Sequence, residues 1–392
     1  MPFWFRRAPE GAQVESLVLR AHDLRQLRAL YWTRAPAPTV GVVIMHPRVD
    51  FHHHYAIPRL LAAGFAVLAA NPRHGANELF GDHEEMVLDL GACVRHLLEK
   101  RGLARVVLLG NCGGGSLAAY YQAQATRPPH ERLAVGPAGA PTYFDGAVLP
   151  AAHGIALIAP HRGQGKILMA AIDPSITHEA EPMSCDPALD MYDARNGFRE
   201  PPAPSSYGDA FLVRYRAAQQ ARVARLDAMA RAAIARRDDP DPRWRAHEPI
   251  MVVYRTMANP AFVDPAIDPS PRDYGSLLSE RPDLMNYAAL GLARASTPRA
   301  WLSTWSGLAS QADLVANAAR FTEPTLLVHA ARDREIFPAD IAAIGDAIAA
   351  PDKRVVTIEG ARHYFEPEPG KEGGHVDALM DVVVPWIAER FA

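Results

Sequence analysis

One stretch constrains this chain more than any other: Val106-Val107-Leu108-Leu109-Gly110-Asn111-Cys112-Gly113-Gly114-Gly115-Ser116. A β-branched and leucine run ends in glycines around a cysteine, and the small-residue helical pattern Leu117-Ala118-Ala119-Tyr120-Tyr121 follows at once. That order is strand, sharp turn, helix. The turn holds its central residue in a strained backbone conformation, so the residues two before and two after it must be tiny. Gly110 and Gly114 meet that need. Cys112 then stands at the tip with a helix N-terminus beneath it, placed to attack a carbonyl. A phosphate-binding glycine loop fits less well, because no Lys-Ser/Thr pair follows and the first glycines bracket Asn-Cys-Gly.

Taken in order, the chain surrounds that turn with strand and helix alternation. Val14–Leu19 and Leu27–Trp32 read as two strands joined by Ala21-His22-Asp23. Thr39–Met45 and Phe65–Ala70 are short continuous apolar runs, the pattern of strands buried on both faces. A helical pattern from about His53 to Ala63 lies between them. From Asp82 to Lys100, Met86, Leu90, Cys93, Val94, Leu97 and Leu98 recur at three- and four-residue steps, which predicts an amphipathic helix closed by Gly102. The turn strand follows, then a loose proline-bearing stretch over 127–150 and a strand at Ile155–Ala159. The alternation implies a parallel sheet.

From His161 to about Ala319 the rhythm disappears, apart from a long helical pattern over Ala210–Arg237. It resumes with a strand at Thr325–His329, a helix around Ala339–Ala349, a strand at Arg354–Ile358 and a final helix over Gly374–Phe391. The expected architecture is α/β: residues 1–160 and 321–392 form a mostly parallel sheet domain, and 161–320 form a large, mainly helical cap insertion. Such an insertion enters at the edge of the sheet where ligands bind in open α/β folds.

Composition narrows the function classes. A net charge of -3, with 49% hydrophobic and 22% charged residues, is ordinary for a globular protein and offers no general attraction to nucleic acid or membrane. The arginines along 214–237 read as a solvated helix face, partly offset by Asp227, Asp238 and Asp239. Three cysteines make no disulfide framework, no apolar h-region follows the Arg6-Arg7 pair, and no run approaches a membrane span. A cytoplasmic setting is expected. The run His52-His53-His54 does not make a metal site, since adjacent helical residues point about 100° apart. Asp186–Gly197 misses the alternation of a calcium loop. No metal and no cofactor are expected.

A nucleophile in acyl transfer needs a base to take and return its proton and a carboxylate to orient that base. Asp333 lies just beyond Leu326-Leu327-Val328-His329, and His363 lies beyond the last strand in Glu359-Gly-Ala-Arg-His363. Both stand at C-terminal strand ends, the edge that also carries Cys112. Asp173 and His375 compete for these roles on weaker positional grounds. Two backbone N–H donors should form an oxyanion hole. Gly113 supplies one; within His46-Pro47-Arg48, Pro47 has no N–H, which leaves Arg48 for the other.

These segments together resemble the α/β-hydrolase superfamily over residues 14–160 and 321–392, with cysteine where most members carry serine. The Gly-x-Cys-x-Gly turn is similar to those of dienelactone hydrolases and polyhydroxyalkanoate synthases. The resemblance implies Cys112 as nucleophile, Asp333 as acid and His363 as base, in that chain order.

A thiol works as thiolate, and a helix N-terminus plus a nearby imidazole are the usual means of lowering its pKa. The expected activity is hydrolysis of an ester, lactone or thioester through an acyl-cysteine. An acyltransferase with the same triad and a non-catalytic binding protein on this fold are the competing readings. The expected partner is a small acyl substrate with some apolar body, with a second copy of the chain left open. His46, Phe51, Tyr192 and Trp305 are the candidate pocket residues.

Overall fold

A computed structural model describes residues 6–34, 37–75, 77–368 and 374–392. The first five residues, on which the N-terminal reading partly rests, lie outside them. The strands are β1 (Gln13–Arg20), β2 (Gln26–Thr33), β3 (Val40–Met45), β4 (Ala66–Asn71), β5 (Arg105–Asn111), β6 (Gly154–Ile158), the two-residue β7 (Met251–Val252) and β8 (Ala295–Ser296), β9 (Thr325–Ala330) and β10 (Lys353–Ile358). Eight of them make one sheet in the order β1-β2-β4-β3-β5-β6-β9-β10. The β1–β2 and β2–β4 pairings are antiparallel and the rest parallel. With helices on both faces, this is the α/β-hydrolase fold.

The continuous apolar runs explain why the central strands sit where they do. Successive side chains of a strand point to opposite faces, and here both faces are covered. Val106 and Leu108 join one buried cluster, against helices α2 (His83–Arg95) and α3 (Gly113–Ala125). Val107 and Leu109 join the other, against α1 (Ile57–Ala62) and the C-terminal helix Val376–Phe391. Each such leucine removed from water contributes about 1.5–3 kcal/mol. The edge strand β10 is mostly exposed.

Helix α1 is shorter than the predicted span from His53. Pro58 lies in its first turn, and a proline deeper inside a helix would lose a hydrogen bond and clash with the preceding turn. The last turn of the predicted 82–100 helix widens to a π-turn over His96–Lys100. Asp82 caps α2 by accepting the Glu85 N–H at 3.1 Å.

The chain between β6 and β9 carries α4 (Gln164–Ala171) and the 27-residue α5 (Asp209–Ala235), and builds a third buried cluster of its own around Tyr215, Leu226, Trp301 and Trp305. Buried polar bonds tie it internally: Trp301 Nε1 and Ser306 Oγ donate to the two oxygens of Asp227, at 2.8 and 2.9 Å. Others tie it to the sheet domain. Ser303 Oγ donates to Glu84 at 2.5 Å, and Thr304 Oγ1 to the Gly81 carbonyl at 2.8 Å. Its last residues, Ala312, Leu314, Ala318 and Phe321, pack into the α2–α3 side of the sheet core. Among the described residues, no helix is long and apolar enough to cross a membrane.

Candidate active site

Strand β5 ends at Asn111 and α3 begins at Gly113, so Cys112 alone makes the turn, at φ 54° and ψ -124°. A side chain at positive φ is strained, and the surroundings leave no alternative. A Cβ added at Gly110 would sit 2.6 Å from the Gly114 carbonyl oxygen, and one at Gly114 would sit 2.5 Å from the Met45 carbonyl oxygen. The turn is therefore wedged between its own helix and β3. Asn111 is locked beneath it: its Nδ2 donates to the Ile158 carbonyl at 2.9 Å, and its Oδ1 accepts Tyr55 Oη–H and faces His54 Nε2, both at 3.1 Å.

The ends of β9 and β10 bring Asp333 and His363 together. His363 Nδ1 donates to Asp333 Oδ2 at 2.6 Å, with both side chains buried. Asp333 Oδ1 accepts the N–H groups of Glu335 and Ile336, at 2.8 and 3.1 Å. The other ring edge of His363 faces the Cys112 thiol. Burial pushes that thiol up, but the His363 charge and hydrogen bonds from His161, His363 and His46 outweigh it and hold it well below the usual thiol range. Burial works the other way on His363; the charges of Asp333 and Cys112 overcome it and raise the imidazole well above its ordinary value. Together these favour a thiolate–imidazolium pair.

Two further imidazoles face the same sulfur. His46 follows β3 directly, and its Nδ1 accepts the N–H groups of Arg48 at 3.0 Å and Val49 at 2.8 Å. His161 lies just past β6, and its Nδ1 accepts the Gly163 N–H at 3.0 Å. A ring nitrogen that accepts carries a lone pair, so each neutral ring bears its proton on Nε2. Both Nε2 atoms are buried and find no partner among the described residues beyond the thiol they face. The Tyr364 phenol also faces the sulfur.

A cavity of about 150 Å³ opens at Cys112. His46, Arg48, Glu78, His161, Gln164, Glu335 and Tyr364 form its polar side; its apolar side is Val49 of the loop after β3 together with Ile167, Met257, Leu277, Leu278, Leu290 and Leu292 of the inserted segment. Glu335 is raised to about 8, by burial and by the Cys112 and Asp333 charges against the opposing pull of His363. A second cavity, of about 390 Å³, shares Ile167 and Glu335 with the first and is lined by Arg162, Lys166, Arg216, Gln219, Asp268 and Asp340 among others.

Several expectations change. The Arg48 N–H is spent on the His46 ring, so it is not a donor toward the thiol. The Arg48 side chain pairs with Glu78 and lies over the Trp305 ring, 4.9 Å from its centroid. Phe51 is fully buried beneath His46 (ring centroids 5.0 Å apart) and belongs to the core. Tyr192 does not line the thiol cavity; its hydroxyl donates to the carbonyl of the lining residue Met257 at 2.5 Å. Trp305 is core of the inserted segment and reaches the cavity only through Arg48. Of the proposed pocket residues, His46 alone lines it. Asp173, the rival acid, is held by Arg255 at 2.7 Å and by Asn286 inside the inserted segment.

The triple histidine disperses: burial lowers His54 to about 3, His53 meets Trp32 edge-on, and His52 lies beside Asp50. Among the described residues, no cluster of three or more His, Cys, Asp or Glu is arranged to hold a metal. His161 went unpredicted, although a histidine just past each strand flanking β5 is a pattern visible in the sequence.

No known family model matches this sequence, and no curated protein matches it. Solved structures do resemble it. A hypothetical protein from Pseudomonas aeruginosa superimposes with a TM-score of 0.55 at 14% identity, covering 98% of this chain and 96% of that one. DcsB, solved in complex with its substrate analogue, gives 0.54 at 13% identity over 96% of this chain and 100% of that one. The esterase domain of a Rhodothermus marinus protein gives 0.47 at 12% identity, covering 97% and 100%. At such identities the likeness is one of fold.

Proposed function

We propose that this chain is a hydrolase that cleaves a carboxylic ester, lactone or thioester through an acyl-cysteine on Cys112. The observation that carries the reading is the buried line Cys112–His363–Asp333 at the tip of a strained turn, closed by the 2.6 Å bond between His363 and Asp333. The Cys112 thiolate attacks the carbonyl carbon and the π pair moves to oxygen. Collapse expels the leaving group, which takes the proton from His363 Nε2. A water then gives one proton to His363 and attacks the thioester; collapse of this second intermediate breaks the C–S bond, the acid departs and the thiolate–imidazolium pair is restored.

The inserted segment acts as a cap whose leucines supply the acyl wall. The cavity lies below the roughly 300–1,000 Å³ of drug-sized ligand sites, which supports a short acyl group. The polar cavity that shares Ile167 and Glu335 with it favours a second reading, acyl transfer to a polar alcohol or thiol. Product formed on an added acceptor in excess of free acid would select that reading.

The direct test uses p-nitrophenyl esters, lactones and thioesters of short acids, quenched in acid and followed by peptide mass spectrometry. An acyl mass on the Cys112 peptide is expected, with turnover lost in Cys112→Ala. Turnover that survives in Cys112→Ala removes the proposal.

A further inference from the structure

We propose that His46 and His161 are catalytic residues whose Nε2–H groups, with the Gly113 N–H, form a three-donor oxyanion site. The inference rests on Cys112 being the nucleophile. Most such sites use two backbone donors, but here the N–H groups that follow His46 in the loop after β3 are already engaged. Pro47 lacks an N–H, and the N–H groups of Arg48 and Val49 both end on His46 Nδ1. That ring stands between the loop and the site, accepting on one edge and presenting a proton on the other. His161 repeats the arrangement with Gly163.

The position of these protons is specific. A Cβ built on Gly113 would lie 2.6 Å from Gln164 Nε2 and 3.0 Å from both His46 Nε2 and His161 Nε2, so the two rings, with the Gln164 amide, stand over the residue whose N–H opens α3. Both Nε2 atoms are buried without a nitrogen or oxygen partner, and a buried unpaired donor is costly unless it meets its acceptor at some stage. In the resting state that acceptor is the thiolate. When the S–C bond forms, the sulfur loses its charge and the carbonyl oxygen gains it. The same donors then follow the charge across, with no reorganisation of solvent. Sheet order explains the convergence: β3 and β6 are the two neighbours of β5, so side chains at their ends meet above its tip.

Two reactions of one thiol separate this role from simple support of the thiolate. Acylation by a p-nitrophenyl ester develops an oxyanion; alkylation by iodoacetamide displaces iodide at a saturated carbon and develops none. His161→Phe, which keeps a ring and removes the donor, is expected to slow acylation on the order of 10²-fold while plateau alkylation at high pH stays within about threefold of wild type. His161→Gln, whose amide N–H reaches a similar position, should recover at least about tenfold of the loss. Because His46 also holds its own loop, His46→Phe serves as the second variant, with thermal melting checked for both. Acylation and plateau alkylation falling in parallel, or acylation unchanged in both Phe variants, overturns the inference. A wild-type Cys112 that neither alkylates nor acylates removes the nucleophile reading and this inference with it, an outcome distinct from either.

Discussion

Asp333→Asn tests the site most sharply, because the structure dictates which way the new amide must face. Asp333 Oδ1 accepts two backbone N–H groups, from Glu335 and Ile336. An asparagine keeps those bonds only with its carbonyl oxygen in that position, which turns its NH₂ toward His363 Nδ1. Two donors cannot face each other at 2.6 Å, so Nδ1 must become the acceptor and the ring proton moves to Nε2, toward Cys112. The imidazole can no longer take the thiol proton.

Freed of its ion pair, a cysteine returns to a pKa near 8.5, or higher where burial dominates. At pH 7 a thiol of that pKa is ~3% ionised, so the loss is up to roughly 30-fold, less what the His46 and His161 donors retain. Loss of the proton donor for the leaving group adds to this, giving an expected fall in kcat/KM of about 10²–10⁴. Iodoacetamide alkylation against pH measures the first factor alone: the wild-type rate should stay near its plateau well below pH 8, and the variant should follow an ordinary thiol. A variant that keeps the wild-type alkylation profile, with turnover within threefold, would refute the reasoning.

Two predictions concern the framework. Gly114→Ala places a Cβ 2.5 Å from the Met45 carbonyl oxygen, a backbone atom in a central strand, and should cost roughly 3 kcal/mol, the upper range for overpacking. A denaturation midpoint equal to wild type would contradict this. Glu84 is raised from its ordinary 4.5 to about 8, by burial and by Asp82. The folded state then holds a proton that the unfolded chain has released, so between those pH values this group makes stability fall as pH rises. Glu84→Gln has no such proton, and its advantage in stability should grow from pH 5 to pH 8 by up to ~1.4 kcal/mol per unit. Melting temperatures of the two proteins that differ by a constant amount over that range would dismiss the mechanism.

The parts of the fold that were legible in the sequence are those fixed by local sterics. The glycines around Cys112 announce a turn that only they can make, and runs such as Val42–Met45 are apolar on both faces because helices cover both. Asp333 and His363 could be placed because strand ends share one edge of a parallel sheet. What the sequence does not carry is which way a side chain turns once neighbours compete for it. Arg48 offers an N–H that looks available until the His46 ring, two residues back, takes it. Phe51, Tyr192 and Trp305 are aromatic in the right neighbourhood, and packing sends them to the interior. The start of α1 is marked by Pro58, which fits only the first turn of a helix. His161 was readable too, by symmetry with His46 across β5.

The parallel ladder itself has a consequence for how this molecule fails and varies. His46 directly follows β3, Cys112 directly follows β5, and His161 comes three residues past the end of β6, while Ile44 pairs with Leu109 and Asn111 with Ile158. A slip of one residue along either pairing would shift a ring by about 3.3 Å and turn it to the opposite face, beyond the tolerance of any hydrogen bond. The convergence of these groups is thus metered by main-chain register, and the surrounding loops are free to drift in length and composition around it. The reactivity of a single sulfur becomes a gauge of whether three central strands are still in step.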